Sequence, residues 1–145
     1  MQVCFVSTSE LYTLRNLVLR PGKPLHTTFY DKDFDKDTFH LAISIESQAM
    51  CIATFYPEKM DSVYSRKAYR LRGMATHPNY RRKGLGKNLM QSAFTHLIQK
   101  QADLLWCKAR LVAIPFYRSL GFQIIGEQYD IEEIGSHYTM YKLLS

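Results

Sequence analysis

The amino-acid sequence predicts a mixed α/β fold, a sheet with helices packed on it, and three observations predict it. Runs rich in β-branched and aromatic residues recur at 39–46, 50–56, 69–76 and 104–108, the pattern of half-buried or buried strands. Between the last two, Leu85, Leu89, Ala93 and Leu97 recur at helical spacing while Met90, Phe94 and Ile98 widen the apolar stripe, so residues 85–98 read as a helix with one face on the sheet. Strand and helix are joined by a basic glycine turn, Arg81-Arg82-Lys83-Gly84-Leu85-Gly86.

In chain order, residues 3–6 make a first strand. Ser7, Thr8 or Ser9 then caps a helix marked by Leu11, Leu14, Leu17 and Val18. Arg20-Pro21-Gly22-Lys23-Pro24 stops it, and the aspartate-rich stretch to Asp37 reads as an irregular, exposed connection. Its acids begin like an EF-hand loop, but no suitable glycine or distal glutamate completes one, so no metal site is expected. Residues 39–46 and 50–56 flank a short polar turn and form an antiparallel hairpin, and 69–76 add the next strand. After the 85–98 helix, 104–108 read as a buried strand, 113–120 as a short helix, and 122–125 and 137–143 as closing strands.

At 145 residues, 46% of them hydrophobic, the chain is expected to be a single domain, 1–145, with a core that needs no disulfide or metal. No repeat, linker or low-complexity tract divides it. Residues 1–10 carry no basic segment followed by a long apolar run and no stretch is long enough to span a bilayer, so the expectation is a cytoplasmic chain without membrane association. Cys4, Cys51 and Cys107 are odd in number and widely spaced, which suggests neither a disulfide framework nor a metal site. Cys107 lies on a strand and is assigned to packing, since nothing in the sequence activates its thiol.

The net charge of +6 invites a nucleic-acid reading, but the densest cationic group sits at the glycine turn rather than along a stripe. Arg66, Lys67, Arg70 and Arg72 form a second basic stretch, read as a solvated strand and loop face. At the turn, glycines let a ligand approach the backbone, a helix start exposes N–H groups, and Arg81, Arg82, Lys83 and Lys87 add positive potential, which together suit a pyrophosphate. A P-loop is excluded because Lys87 is followed by Asn88 instead of a hydroxyl residue. The dinucleotide fingerprint is excluded because Leu89 stands where its third glycine or alanine belongs.

The spacing Arg81-x-x-Gly84-x-Gly86 after a strand resembles the coenzyme A pyrophosphate loop of the GNAT acyltransferase superfamily. The segment Phe116-Tyr117-Arg118-Ser119-Leu120-Gly121-Phe122 resembles a second motif of the same superfamily. The blocks LRGMATHPNYRRKGLG, LLWCKARLVAIPFYRSLGF and IGSHYTM are together similar to a YjcF-like branch, and the resemblance covers nearly the whole chain. It implies a mostly antiparallel central sheet flanked by helices, and acetyl transfer from acetyl-CoA directly to a primary amine in a ternary complex. Backbone groups of Met74, Ala75 and Thr76 would bond the pantetheine arm, and the amides around Arg82, Gly84, Gly86 and Lys87, with Arg81, would hold the pyrophosphate. Tyr117 occupies the family's general-acid position.

For the base, His137 leads because it lies beside Tyr138 on the last predicted hairpin and an ordinary imidazole exchanges protons near neutrality. His40, His77 and a water relay are the alternatives. Two departures from the family pattern stand out. Arg82 replaces a small residue inside the turn, and Arg110 replaces an asparagine often found ahead of the tyrosine helix. Arg110 is open to contact with phosphate, with the acceptor, or with an acidic neighbour. Arg15 and Arg20 are expected at the solvent, with recognition of an acidic acceptor as the competing role, and Trp106 is expected in the core. Two other functions stay open at this point, an acyl-CoA-binding regulatory module without efficient turnover and a nucleic-acid-binding domain. The acceptor amine is not legible, because loops and pocket shape set it, and a homodimer is the assembly that analogy with the family suggests.

Overall fold

The computed structural model describes residues 2–145. Strand β1 (Val3–Phe5) runs antiparallel to β2 (Phe39–Ile45), and β2 turns directly into β3 (Gln48–Pro57). Glu46 and Ser47, the two residues between the paired Ile45 and Gln48, have φ of 53° and 67°, the left-handed pair that a tight hairpin requires. Strand β4 (Ala68–Thr76) precedes helix α2 (Leu85–Gln99), and β5 (Leu104–Arg110) follows it. The register of β4 with β5 is parallel and runs from Ala68↔Leu104 to Arg70↔Trp106. Helix α3 (Ile114–Ser119) then leads into β6 (Gln123–Ile131) and β7 (Gly135–Leu143), which pair antiparallel. The seven strands form one sheet in the order β1-β2-β3-β4-β5-β7-β6, so the mixed, mostly antiparallel sheet with flanking helices is the fold found.

Contacts group the chain into two compact units. The first holds the segment up to Tyr56 and Leu71–His96. In it helix α1 (Tyr12–Leu19) follows a short turn, Thr8–Glu10, fixed by the Ser7 N–H donating to the Glu10 carboxylate at 3.0 Å. Leu11 and Leu14 pack with Ala42, Ile52 and Ala75 as the apolar core of this unit. Phe39 stacks on Phe55 at 4.9 Å and meets His96 of α2 edge-on at 4.6 Å.

Two expectations about this unit are corrected. Arg15 is not at the solvent but fully buried, and Asp33, expected in an exposed connection, is buried with it in a bidentate ion pair at 2.8 and 2.9 Å. Removing either charge from water is costly unless the partner is present, which is why both go inside together.

The second unit holds Pro57–Arg70 and Leu97–Ser145. Met60, Ala68, Leu104 and Trp106 are its buried cluster, with Trp106 in the core as expected and its indole N–H donating to the Glu58 carbonyl at 2.8 Å. The solvated face predicted for the second basic stretch holds for Arg66 and Lys67 but not for Arg70, which lies over the Trp106 ring at 5.0 Å and pairs with Glu58 at 3.2 Å. The Asp103 carboxylate accepts the N–H groups of Arg66 and Lys67 at 2.8 and 2.9 Å, tying the connection ahead of β4 to the start of β5.

Candidate functional site

The glycine turn lies in the first unit, directly after β4. His77 caps a short turn over Pro78–Tyr80 by accepting the Asn79 N–H on Nδ1 at 3.1 Å, and its own N–H donates to the Met50 carbonyl of β3 at 2.7 Å. The Arg81 Nε–H donates to the Thr76 carbonyl at 3.3 Å, folding that guanidinium back over the end of the strand. Arg82 and Gly84 both take left-handed backbone, φ 62° and 80°. Such a conformation costs a residue with a Cβ about 1–2 kcal/mol and costs glycine almost nothing.

A Cβ placed on Gly84 would meet nothing within 4 Å, so the space outside it is open. Helix α2 starts at the next residue, and Asn88 N–H donating to Gly84 O at 3.0 Å closes its first turn. The N–H groups of Leu85, Gly86 and Lys87 therefore have no acceptor within the helix. With the exposed side chains of Arg82, Lys83 and Lys87 they make this turn positive, at the end of a helix whose dipole adds to that sign. Its donor set fits a pyrophosphate: backbone N–H groups beside an open glycine, ringed by cations.

Upstream on β4, Met74 and Thr76 are half-buried and Ala75 is buried. The Thr76 hydroxyl donates to the Cys51 sulfur at 3.3 Å, and burial pushes the Cys51 thiol up to about 11.

The second unit carries Tyr117, His137 and Arg110. Pro115 sits at the start of α3, where its missing N–H is harmless, and Gly121 at φ 96° ends the segment. Tyr117 is buried on this helix, its ring 5.2 Å from that of Phe122. Burial, with a smaller contribution from Cys107, pushes its hydroxyl well above the usual phenol range, so it carries its proton throughout the neutral range. Burial pushes the Cys107 thiol up too, which leaves it a protonated packing group, as expected, and no nucleophile.

His137 sits on β7 opposite Arg110 of β5 and Tyr129 of β6. It is 3% exposed, and its Nδ1 lies 2.8 Å from the Gly135 carbonyl. A carbonyl only accepts, so Nδ1 holds the proton of the neutral ring and Nε2 holds the lone pair, the atom able to take a proton. The Tyr129 ring stacks against the imidazole at 25°, with centroids 6.0 Å apart. Arg110 is half-buried at the end of β5.

The other candidates are spoken for. His40 lies 3.0 Å by Nε2 from the Asp33 carbonyl and 2.8 Å by Nδ1 from the Thr54 hydroxyl, so the ring donates through one nitrogen and accepts through the other. Burial lowers its basicity despite the Asp33 contacts. Arg15 spends its terminal nitrogens on the Thr28 carbonyl, Asp33 and Thr54, which removes it as an acceptor-recognition residue. What sequence reading missed is Tyr30, whose ring centroid lies 3.9 Å from the guanidinium carbons of both Arg15 and Arg72. No local pattern marks it, because the residues that fix it are distant in sequence.

Among the described residues no group of His, Cys, Asp and Glu is placed to hold a metal ion, and no helix is long and apolar enough to cross a membrane. The family model described as the acetyltransferase (GNAT) family matches residues 7–122. An uncharacterized N-acetyltransferase of Bacillus subtilis, YitI, is 34% identical over 144 residues, covering 99% of this chain and 97% of that protein. An acyl-CoA N-acyltransferase structure from Pseudomonas aeruginosa superimposes with a TM-score of 0.77 at 19% identity, covering 98% of this chain and 99% of that one. An aminoglycoside 6'-N-acetyltransferase complexed with coenzyme A gives a TM-score of 0.74 at 11% identity, covering 99% of this chain and 97% of that one. At these identities the structural likeness is one of fold.

Proposed function

Because the chain belongs to the GNAT family of acetyltransferases and is thereby an acyltransferase enzyme, we propose that it moves an acetyl group from acetyl-CoA directly to a primary amine held beside it in a ternary complex. The observation that carries the donor is the turn at residues 81–87, an open glycine and a helix start surrounded by cations at the end of β4. When bound, acetyl-CoA supplies the thioester, whose C–S bond breaks as the new C–N bond forms.

In this reading the glycine turn and β4 bind the coenzyme. The amides of Arg82, Gly84, Gly86 and Lys87, with the Arg81 side chain, hold the pyrophosphate, and the backbone of Met74, Ala75 and Thr76 bonds the amides of the arm. An amide from the 71–76 strand faces the negative charge that develops on the carbonyl oxygen. Two further residues move protons. His137 takes one on Nε2 from the acceptor amine, directly or through a water, while Tyr117 gives its hydroxyl proton to the departing sulfur. Arg110, opposite His137 in strand register, contacts a charged group of the coenzyme or of the acceptor.

We assign the enzyme to the YjcF-like branch on the resemblance of the three sequence blocks, and the family match over residues 7–122 supports one functional domain. A cytoplasmic location and a homodimeric assembly complete the proposal. Calorimetry tests its donor half. Replacing Arg81, Arg82 and Lys83 together by Gln should weaken acetyl-CoA binding at fixed ionic strength more than it weakens any binding to duplex DNA. The opposite order would turn the basic turn into a nucleic-acid contact.

A further inference from the structure

We propose that Tyr30, keyed in place by the buried Arg15–Asp33 pair, is a positioning residue for acetyl transfer, holding the left-handed Gly73 peptide of β4 in the orientation the reaction uses. The proposal deepens the transferase reading and rests on it. Gly73 has φ 68°, which turns its peptide out of the extended strand just ahead of Met74, Ala75 and Thr76. A Cβ built there would lie 3.0 Å from Tyr30 Cε2, 3.2 Å from the Tyr30 hydroxyl oxygen and 3.2 Å from Arg15 Nε, so the turned backbone is seated against these two side chains.

Both are themselves fixed. The guanidinium carbons of Arg15 and Arg72 each lie 3.9 Å from the Tyr30 ring centroid; two such groups would overlap on one face, so the ring is held between them. The Tyr30 N–H donates to Asp33 Oδ2 at 3.0 Å, and the same carboxylate takes both terminal nitrogens of Arg15. Arg15 further donates to the Thr28 carbonyl at 2.7 Å and to the Thr54 hydroxyl at 2.8 Å. Its Nε–H alone is buried without a partner, and that edge is the one against Gly73. A buried ion pair is weak as a source of stability but strict about geometry, since every displaced charge loses its partner. The chain thus sets a stiff, directional support behind the one peptide of β4 that departs from the strand. Misplacing a reacting or stabilising group by about 1 Å costs on the order of 10²-fold in rate.

A network serving stability alone predicts that a folded variant turns over like the parent. The positioning role predicts otherwise. Tyr30→Leu, assayed well below its unfolding transition, should lower the single-turnover rate of acetyl transfer by at least about tenfold while the acetyl-CoA dissociation constant moves less than about threefold, and Tyr30→Phe, which keeps the ring, should restore the rate. Gly73→Ala presses on the same two side chains from the strand and should show the same split, which keeps the test decisive if Tyr30→Leu does not fold. Parental rates in folded Tyr30→Leu or Gly73→Ala overturn the positioning role and leave the transferase standing. No transfer by the parent to any amine in the presence of acetyl-CoA removes both.

Discussion

Gly84→Ala separates what the glycine turn does for the fold from what it does for a ligand. At φ 80° an alanine adopts backbone that costs about 1–2 kcal/mol, and since nothing lies within 4 Å of the added Cβ no steric penalty follows. For a domain of this size that is a fall in melting temperature of about 3–8 °C. Gly22→Ala is the matched control, because Gly22 has φ 74° and open space around its Cβ as well, but lies far along the chain from the turn. Both variants should lose similar stability.

Only Gly84→Ala should lose affinity. Its methyl enters the open space where the pyrophosphate would sit and disturbs charge-assisted hydrogen bonds, each worth about 1.5–3 kcal/mol, which corresponds to about a 10- to 100-fold rise in the acetyl-CoA dissociation constant. The assay is paired calorimetry of binding and thermal unfolding on parent, Gly84→Ala and Gly22→Ala. Parental affinity in Gly84→Ala, or equal losses of affinity in both variants, would refute the placement of the coenzyme at this turn.

Three further outcomes follow from the same geometry. Tyr117→Phe keeps the buried ring and deletes the proton donor, so single-turnover transfer should slow by about 10²-fold with cofactor affinity nearly unchanged; an unaltered rate assigns Tyr117 to packing. His137→Gln removes the Nε2 lone pair and should cost most of the single-turnover rate with acetyl-CoA affinity nearly unchanged, whereas a parental rate would exclude His137 as the base. Burial lowers the basicity of His40, so the fold favours its neutral form: stability is intact above the ordinary imidazole value of about 6.5 and falls as pH drops from there toward the lowered folded-state value. Melting curves against pH should show His40→Gln lacking that loss, and parallel curves for the two proteins would contradict it.

The parts of this protein legible in the sequence are those whose cause is local. Periodicity located α2, alternation and turn residues located the β2–β3 hairpin, and the basic glycine turn stands where the sequence put it, between β4 and α2. The unread parts have distant causes. Arg15 looks like an exposed helix cation until Asp33, Thr28 and Thr54 are brought to it, and only the folded chain does that. β6 extends beyond residues 122–125 to Ile131, because pairing with β7 resumes at Tyr129 after an irregular stretch containing Gly126 at φ 81°. Exposed Glu127 and Gln128 give that stretch no apolar alternation to read. The proton on Nδ1 of His137 is likewise invisible in sequence, since it depends on the hairpin bringing the Gly135 carbonyl to 2.8 Å.

Acetyl transfer from acetyl-CoA to an amine can be measured outright. The assay is release of the coenzyme A thiol from acetyl-CoA across a panel of amino acids, polyamines, aminosugars and peptide amines, with the mass of each product determined. Thiol release should depend on one class of amine and on enzyme, matched mole for mole by an amine carrying one added acetyl group. Tight acetyl-CoA binding with no amine-dependent release across the panel would rule out the transfer and leave a coenzyme-binding module in its place.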